Sequence, residues 1–250
     1  MLRVTNTPAD FEALAKTDLS ETTCIVLDIL RATSSMVAAL ANGADGILPV
    51  ATIEEALAAK EARPDALLAG EREGYRITAA QSGGTDFDLG NSPREYTTEA
   101  VTGKMIITTT TNGTRALRAC AGARQVFVGS FLNLTSTLKH LRTDSPTRLV
   151  IVCGGTYEEA ALEDVLAAGA ITNELWDLYG TGAEDSAQLA RHLFLSMGDD
   201  LEEAMRYARN GRRLLSLPDL AADVRYCVQR DVYSLVAGVS AEDGAVSIVG

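Results

Sequence analysis

Val26-Leu27-Asp28-Ile29-Leu30-Arg31-Ala32-Thr33-Ser34-Ser35 is the stretch whose reading decides the fold. It closes a nearly continuous apolar run, Cys24–Leu30, of the kind found in a strand whose sheet is covered on both faces, and it opens an alanine-rich helical stretch, Ser34–Ala41. The same strand-then-helix rhythm repeats outward. Further strands are predicted at Gly46–Val50, Ala66–Ala69, Met105–Thr110, Gln125–Gly129 and Leu149–Cys153, with helices at Ile53–Ala62, Pro93–Ala100, Thr114–Ala121 and Leu134–Leu141. That alternation predicts an α/β fold, a largely parallel or mixed sheet flanked by helices. From Tyr157 the pattern becomes mainly helical, at Glu158–Leu178, Ser186–Ser196, Leu201–Arg209 and Asp219–Gln229, before two late strand-like runs, Val232–Val239 and Ala245–Val249. No Pro- or Ser-rich linker interrupts residues 1–250, so one domain is expected.

Composition narrows the partners. Lys and Arg number 22 against 34 Asp and Glu, a formal charge of −12 over 250 residues. A chain this acidic, without a basic run, is not built to track a phosphate backbone, and nucleic acid is excluded as an expected partner. No apolar run reaches bilayer length, and the N-terminus has no basic segment leading into an apolar one, so no membrane association and a cytoplasmic location are expected. Cys24, Cys120, Cys153 and Cys227 form no C-x-x-C pair and read as buried thiols.

In open α/β sheets ligands bind beyond the carboxyl ends of the strands. Four such loops are rich in functional groups. The first carries Asp28, Arg31 and Thr33, and another runs Gly70-Glu71-Arg72-Glu73-Gly74. A third runs Thr108-Thr109-Thr110-Thr111-Asn112-Gly113-Thr114, and a fourth runs Gly129-Ser130-Phe131-Leu132-Asn133. Carboxylates suit a hard divalent cation, while arginines with hydroxyl and amide donors suit a phosphoryl group. Taken singly, Asp28 with Arg31 and Glu71 with Arg72 also suit ordinary ion pairs, and the threonine run suits a strand end with a helix cap. In Ser92-Pro93-Arg94-Glu95 the serine is expected to cap the N3 amide and Glu95 to reach back, which would make the preceding Phe87–Asn91 segment a loop delivered onto an anion-accepting helix start. Thr78–Asp86 reads as a flexible loop.

Several constellations are missing: the G-x-x-x-x-G-K-[ST] phosphate loop, the G-x-G-x-x-G turn, the G-x-S-x-G elbow, and a second acid two residues after Asp28. His140 and His192 lie in helical stretches and read as structural or surface residues. Glu163 and Asp164 flank an apolar helical arc on opposite sides, so one is expected to face a site and the other solvent.

VLDILRATSS (26–35), AGERE-G (69–74), FDLGNSP (87–93), TTTTNGT (108–114), GSFLN (129–133) and LED-x-x-x-AG (162–169), in this order, resemble the 2-phosphosulfolactate phosphatase family. A closing DVRYC-x-x-x-D at Asp223–Asp231 is similar to that family's C-terminal pattern. The resemblance implies a three-layer α/β/α enzyme that uses Mg²⁺ to hydrolyse 2-phosphosulfolactate to 3-sulfolactate and phosphate, a step of coenzyme M biosynthesis. It also implies a homodimer. By position it implies catalytic roles for Asp28, Arg31, Glu71 and Arg72. Substrate contacts would come from Thr33, Asn91, Ser92, Thr110, Asn112, Gly113, Thr114, Ser130 and Asn133. Metal ligation would come from Asp28, Glu71, Asp88 and Asp164. Thr78–Asp86 looks longer than the family's usual connection. Alternatives are a phosphatase for another small phosphate ester, or a small-anion binder that keeps the pocket without turnover. An aspartyl-phosphate on Asp28 is a rival mechanism, ranked below a metal-activated water because the second acid is missing.

Overall fold

The computed structural model of the protein describes residues 1–249. Ten strands form one sheet: β1 (Leu2–Thr5), β2 (Thr22–Leu27), β3 (Gly46–Pro49), β4 (Leu67–Arg72), β5 (Tyr75–Arg76), β6 (Met105–Thr109), β7 (Gln125–Gly129), β8 (Arg148–Cys153), β9 (Ala237–Val239) and β10 (Val246–Ile248). Their spatial order is β1-β8-β2-β7-β9-β10-β3-β6-β4-β5. The sheet is mixed. β1, β8, β2 and β7 are mutually parallel, as are β3, β6 and β4, and the late hairpin β9–β10 joins the two blocks through antiparallel pairings on both sides.

Alternation along the strands makes the layers. Ile25 and Leu27 of β2, with Leu149 and Ile151 of β8, face the helices Leu134–Asp144, Leu162–Glu174 and Asp185–Met197. Cys24 and Val26, with Val150 and Val152, face the helices Ala32–Ala41 and Gly113–Ala119. The result is the three-layer α/β/α arrangement. Ala32 through Leu40 are all buried, which explains why that helix is apolar on every side rather than striped. Its neighbours include Ile47, Ile106 and Ala69 from the second block and Ala237 and Val246 from the bridging hairpin.

Three antiparallel junctions separate β2 from β4, so by register the second block runs against the first. Yet the carboxyl ends of β2, β4 and β6 open onto one cavity. Sheet twist reconciles the two facts: six strand-to-strand steps of roughly 20–25° accumulate about 120–150° and swing the ends round toward each other.

The expected strands of the first two-thirds are present, as are the expected helices apart from Pro93–Ala100, and β1, β5 and the helices Pro8–Leu14 and Ala79–Ser82 are additional. β1 and the helix Pro8–Leu14 had no sequence reading, although Thr7 and Asp10 form a capping box with Pro8 at the first helical position. Thr78–Asp86 is not a featureless loop. Residues Ala79–Ser82 form a short helix with a Thr78/Gln81 capping box, and the Asp86 carboxylate accepts the Ala79 N–H. Pro93–Ala100 is a 3₁₀ turn, Pro93–Glu95, followed by the short helix Thr98–Val101. Glu158–Leu178 begins only at Leu162, because Thr156 and Glu159 pair with each other first. Leu201–Arg209 stops at Met205, and a separate helix Arg209–Leu215 follows. All four cysteines are free and buried. His140 packs edge-on against Phe127, and His192 is exposed.

Candidate active site

A cavity of about 310 Å³ opens where β2, β4 and β6 end, a size suited to a small molecule. Asp28, Arg31, Glu71, Arg72, Asn91, Thr110 and Asn112 line it, together with Thr111 of the threonine run and with Tyr157, Asn210 and Arg213, which no motif carries.

Asp28 follows β2, and its backbone turns tightly. The Asp28 N–H donates to Thr33 Oγ1 at 3.0 Å, and the Thr33 hydroxyl donates to the Asp28 carbonyl. Thr33 therefore shapes the turn rather than facing the cavity. The Asp28 carboxylate accepts the Ala32 N–H at 3.2 Å and lies against Gly113, where a Cβ would sit 2.9 Å from Asp28 Oδ2 and 2.7 Å from Ala32 Cβ. Glycine is needed at 113 for that close approach. Desolvation raises the Asp28 pKa to about 6, with the Glu71 charge adding to the rise and the Ala32 N–H, Arg31 and the Gly113 N–H opposing it.

Glu71 is buried and knits two loops together. Its Oε1 accepts the Thr111 N–H at 3.0 Å and the Thr111 hydroxyl at 2.8 Å, and its Oε2 accepts the Gly74 N–H at 2.7 Å. Arg72 donates to the Thr109 carbonyl, the Thr109 hydroxyl and the Glu71 carbonyl. Neither suspected local ion pair forms. Among the described residues Arg72 has no carboxylate partner within salt-bridge distance, and Arg31 pairs with Asp223 at 2.6 Å instead of Asp28. Arg31 is 3% exposed and Asp223 fully buried. The second Arg31 nitrogen donates to the Gly74 carbonyl, also at 2.6 Å.

Asp223 was legible only as part of the DVRYC pattern, and it rewrites the reading of Ser92. The Ser92 hydroxyl donates to Asp223 Oδ1 at 2.7 Å and caps no helix, while Glu95 accepts the Gly90 N–H. The expected capping box, and the anion-accepting helix start with it, is replaced by a buried polar junction of three distant segments. Asn91 lines the cavity, and its carbonyl accepts the Ser35 hydroxyl.

The threonine loop closes on itself through Thr110 and Thr114, whose hydroxyl oxygens lie 3.3 Å apart. Asn112 donates to the Gly154 and Tyr157 carbonyls, leaving its Oδ1 buried without a partner. Ser130 and Asn133 do not reach the cavity. They cap one another's turn, Ser130 meets Ser34, and Asn133 donates to the Leu235 carbonyl.

The expected four-acid metal set does not assemble. Asp88 is exposed, and its carboxylate accepts the Leu68 N–H on β4, away from the cavity. Asp164 is buried behind Asp28, its two oxygens accepting the Ile29 N–H at 2.8 Å and the Gly155 N–H at 3.0 Å. Among the described residues no cluster of three or more His, Cys, Asp or Glu side chains is arranged to hold an ion. Glu163 and Asp164 are both buried, at 1% and 2% exposure, so neither is the solvated acid expected of the pair. Glu163 Oε2 has no partner, and burial, reinforced by Asp28, raises its pKa to about 7. Burial and the charges of Asp28 and Glu163 hold Asp164 well above the usual carboxylate range.

A family model described as 2-phosphosulpholactate phosphatase matches residues 10–242. The chain belongs to that family. Relatives from three organisms carry the name "Probable 2-phosphosulfolactate phosphatase". The Thermotoga petrophila protein is 38% identical over 214 residues, covering 86% of this chain and 87% of the relative. The Caldicellulosiruptor saccharolyticus protein is 37% identical, covering 87% and 89%. The Deinococcus radiodurans protein is 39% identical, covering 89% and 91%. The family's name describes a phosphoric monoester hydrolase, and the cavity holds the acid and guanidinium groups such chemistry uses. No helix among the described residues is long and apolar enough to cross a membrane.

Proposed function

We propose that the protein hydrolyses 2-phosphosulfolactate to 3-sulfolactate and inorganic phosphate with the help of Mg²⁺. The observation that carries this reading is the convergence, in one small cavity, of Asp28 and Glu71 with Arg31 and Arg72 from separate strand ends. The donor set fits a hard cation of modest protein ligation. Mg²⁺ is commonly held by one or two carboxylates plus water and substrate phosphate, and here Asp28 and Glu71 supply two carboxylates while Asn112 Oδ1 is a buried oxygen without a donor. When bound, the ion would supply Lewis-acid polarisation of a phosphoryl oxygen and lower the pKa of a coordinated water.

The chain's own groups do the rest. Arg72 and Arg31 meet the charge that grows on the phosphoryl oxygens, and Arg31 is pre-aimed because Asp223 and the Gly74 carbonyl fix both of its terminal nitrogens. The Thr110 hydroxyl at the cavity wall offers a further donor. A water oxygen forms the new bond to phosphorus, the ester P–O bond breaks, and the released alkoxide of sulfolactate takes up a proton. The small cavity limits the ester to a compact one.

Phosphate release from 2-phosphosulfolactate and a panel of other small phosphate esters, with Mg²⁺ and with excess chelator, tests the reading. Asp28→Asn and Glu71→Gln should each lower turnover by about 100-fold or more, the scale of a lost transition-state contact. Turnover that survives chelation would remove the metal from the reading, and preference for another ester would replace the substrate.

A further inference from the structure

The guanidinium inventory of the cavity points to a residue outside every motif above. The helix Arg209–Leu215 forms part of the wall through Asn210, Arg213 and Leu214. It is seated firmly. Asn210 donates to the Leu30 carbonyl at 2.5 Å, Leu214 is 2% exposed, and a Cβ on Gly211 would fall 2.2 Å from the Met205 carbonyl oxygen. Arg213 is thus presented by a fixed element, not by a free loop.

Among the described residues the Arg213 guanidinium has one polar partner, the Glu73 carbonyl. Among the described residues no carboxylate lies within salt-bridge distance of it. Its neighbour is another cation: Gly74 sits between the two, since a Cβ there would be 3.6 Å from Arg213 Nη2 and 3.9 Å from Arg31 Nη2. Arg31 has Asp223 in contact behind it, whereas among the described residues Arg213 has no carboxylate in contact, the acids of the same cavity lying beyond salt-bridge distance. An uncompensated guanidinium beside a second one, in a concave wall of a strongly acidic protein, is an arrangement that an anion would complete.

The transferring phosphoryl group already has Arg31 and Arg72. We infer that Arg213 binds the second anionic group of the substrate, the sulfonate or carboxylate that does not react, and so selects for phosphate esters of acids over plain phosphate esters. The inference rests on the phosphatase reading above. The planar fork of arginine matches either oxyanion in a bidentate fashion, which a lysine at 213 would not reproduce.

Steady-state kinetics on three esters tests this: 2-phosphosulfolactate, 2-phospholactate, which lacks the sulfonate, and phenyl phosphate, which lacks both acid groups. Arg213→Gln should raise KM for 2-phosphosulfolactate by about tenfold or more, the scale of a charge-assisted contact, with a much smaller change in kcat. Its penalty on phenyl phosphate should be several-fold smaller, and Arg213→Lys should recover part of the KM. A matching penalty on 2-phospholactate assigns the contact to the carboxylate, and a penalty confined to 2-phosphosulfolactate assigns it to the sulfonate. An equal penalty on all three esters, or none on any, overturns the inference. A calorimetric titration with 3-sulfolactate separates this from the phosphatase reading. If the wild-type protein releases no phosphate from any ester, that reading fails. Weaker 3-sulfolactate binding by the variant would still support the Arg213 contact, whereas equal or absent binding would sink it.

Discussion

Arg31 is the residue on which the most distant parts of the chain meet. One terminal nitrogen donates to Asp223 in the C-terminal helix Ala221–Cys227, the other to the Gly74 carbonyl in the turn between β4 and β5. Asp223 in turn accepts the Ser92 hydroxyl and a longer bond from Arg94, which leaves it well partnered though fully buried. Such a junction is expensive to break on one side only, because the remaining charge stays in place without its counter-ion. Arg31→Lys keeps the charge, but a single ammonium cannot span both acceptors in the same geometry. It should lower stability by about 2–4 kcal/mol, read as a fall in the denaturation midpoint, and lower turnover by an order of magnitude or more. An unchanged midpoint would mean that the Asp223 contact contributes nothing to the folded state. The residue scale also shows why Asp223 was hard to find. Ser92-Pro93-Arg94-Glu95 satisfies a local capping rule, and nothing local reveals that a carboxylate 131 positions away competes for the serine hydroxyl. Asp88 misleads in the same way, an acid in a motif whose carboxylate is consumed by the Leu68 N–H.

Among the elements, those whose signal is local were legible and those defined by distant partners were not. β2, β7 and β8 announce themselves by nearly continuous apolar runs, and the strand-end rule singles out the loops that carry Asp28, Glu71, Arg72 and Thr110, which share one cavity, but equally Ser130 and Asn133, which do not reach it. Arg209–Leu215 gives no such sign: it follows a short helix directly, and its importance lies in what Arg213 and Asn210 touch. The hairpin β9–β10 was visible as two late strands, but not its position. It fills the gap between β7 and β3, with Ala237 opposite Val128 and Val246 opposite Ile47, and both Ala237 and Val246 are fully buried. Without it the sheet would become two blocks with two raw edges, and the buried helix Ala32–Ala41 would lose one side of its enclosure. Ending the chain after Arg230 should therefore yield aggregated protein without a cooperative melting transition, monitored by size-exclusion chromatography and circular dichroism. A soluble truncated protein with a sharp transition would show that the blocks cohere without the bridge.

At the scale of the whole molecule, a chain with a formal charge of −12 surrounds a cavity with three arginines on its walls. The acids matter as much as the bases. Asp28, Glu163 and Asp164 form a buried group whose members repel one another, and each holds its proton more tightly folded than unfolded: Asp28 at about 6 and Glu163 at about 7, with Asp164 also raised. Between the ordinary carboxyl range near 4 and these raised values, the folded state binds more protons than the unfolded state, so stability falls as pH rises through that window. The metal-free protein should accordingly melt at a lower temperature at pH 7.5 than at pH 5, by an amount on the order of a few kcal/mol in stability. Glu163→Gln removes one of the three titrations at a position whose Oε2 has no partner to lose, and should flatten the slope while raising the midpoint at pH 7.5. Mg²⁺ should raise the melting temperature more at pH 7.5 than at pH 5, because at the lower pH protons compete for the same carboxylates. Thermal melts across this range, with and without Mg²⁺ and for both proteins, decide the matter, and a wild-type melting temperature that stays level or climbs with pH would show that the three acids are not strained by their burial.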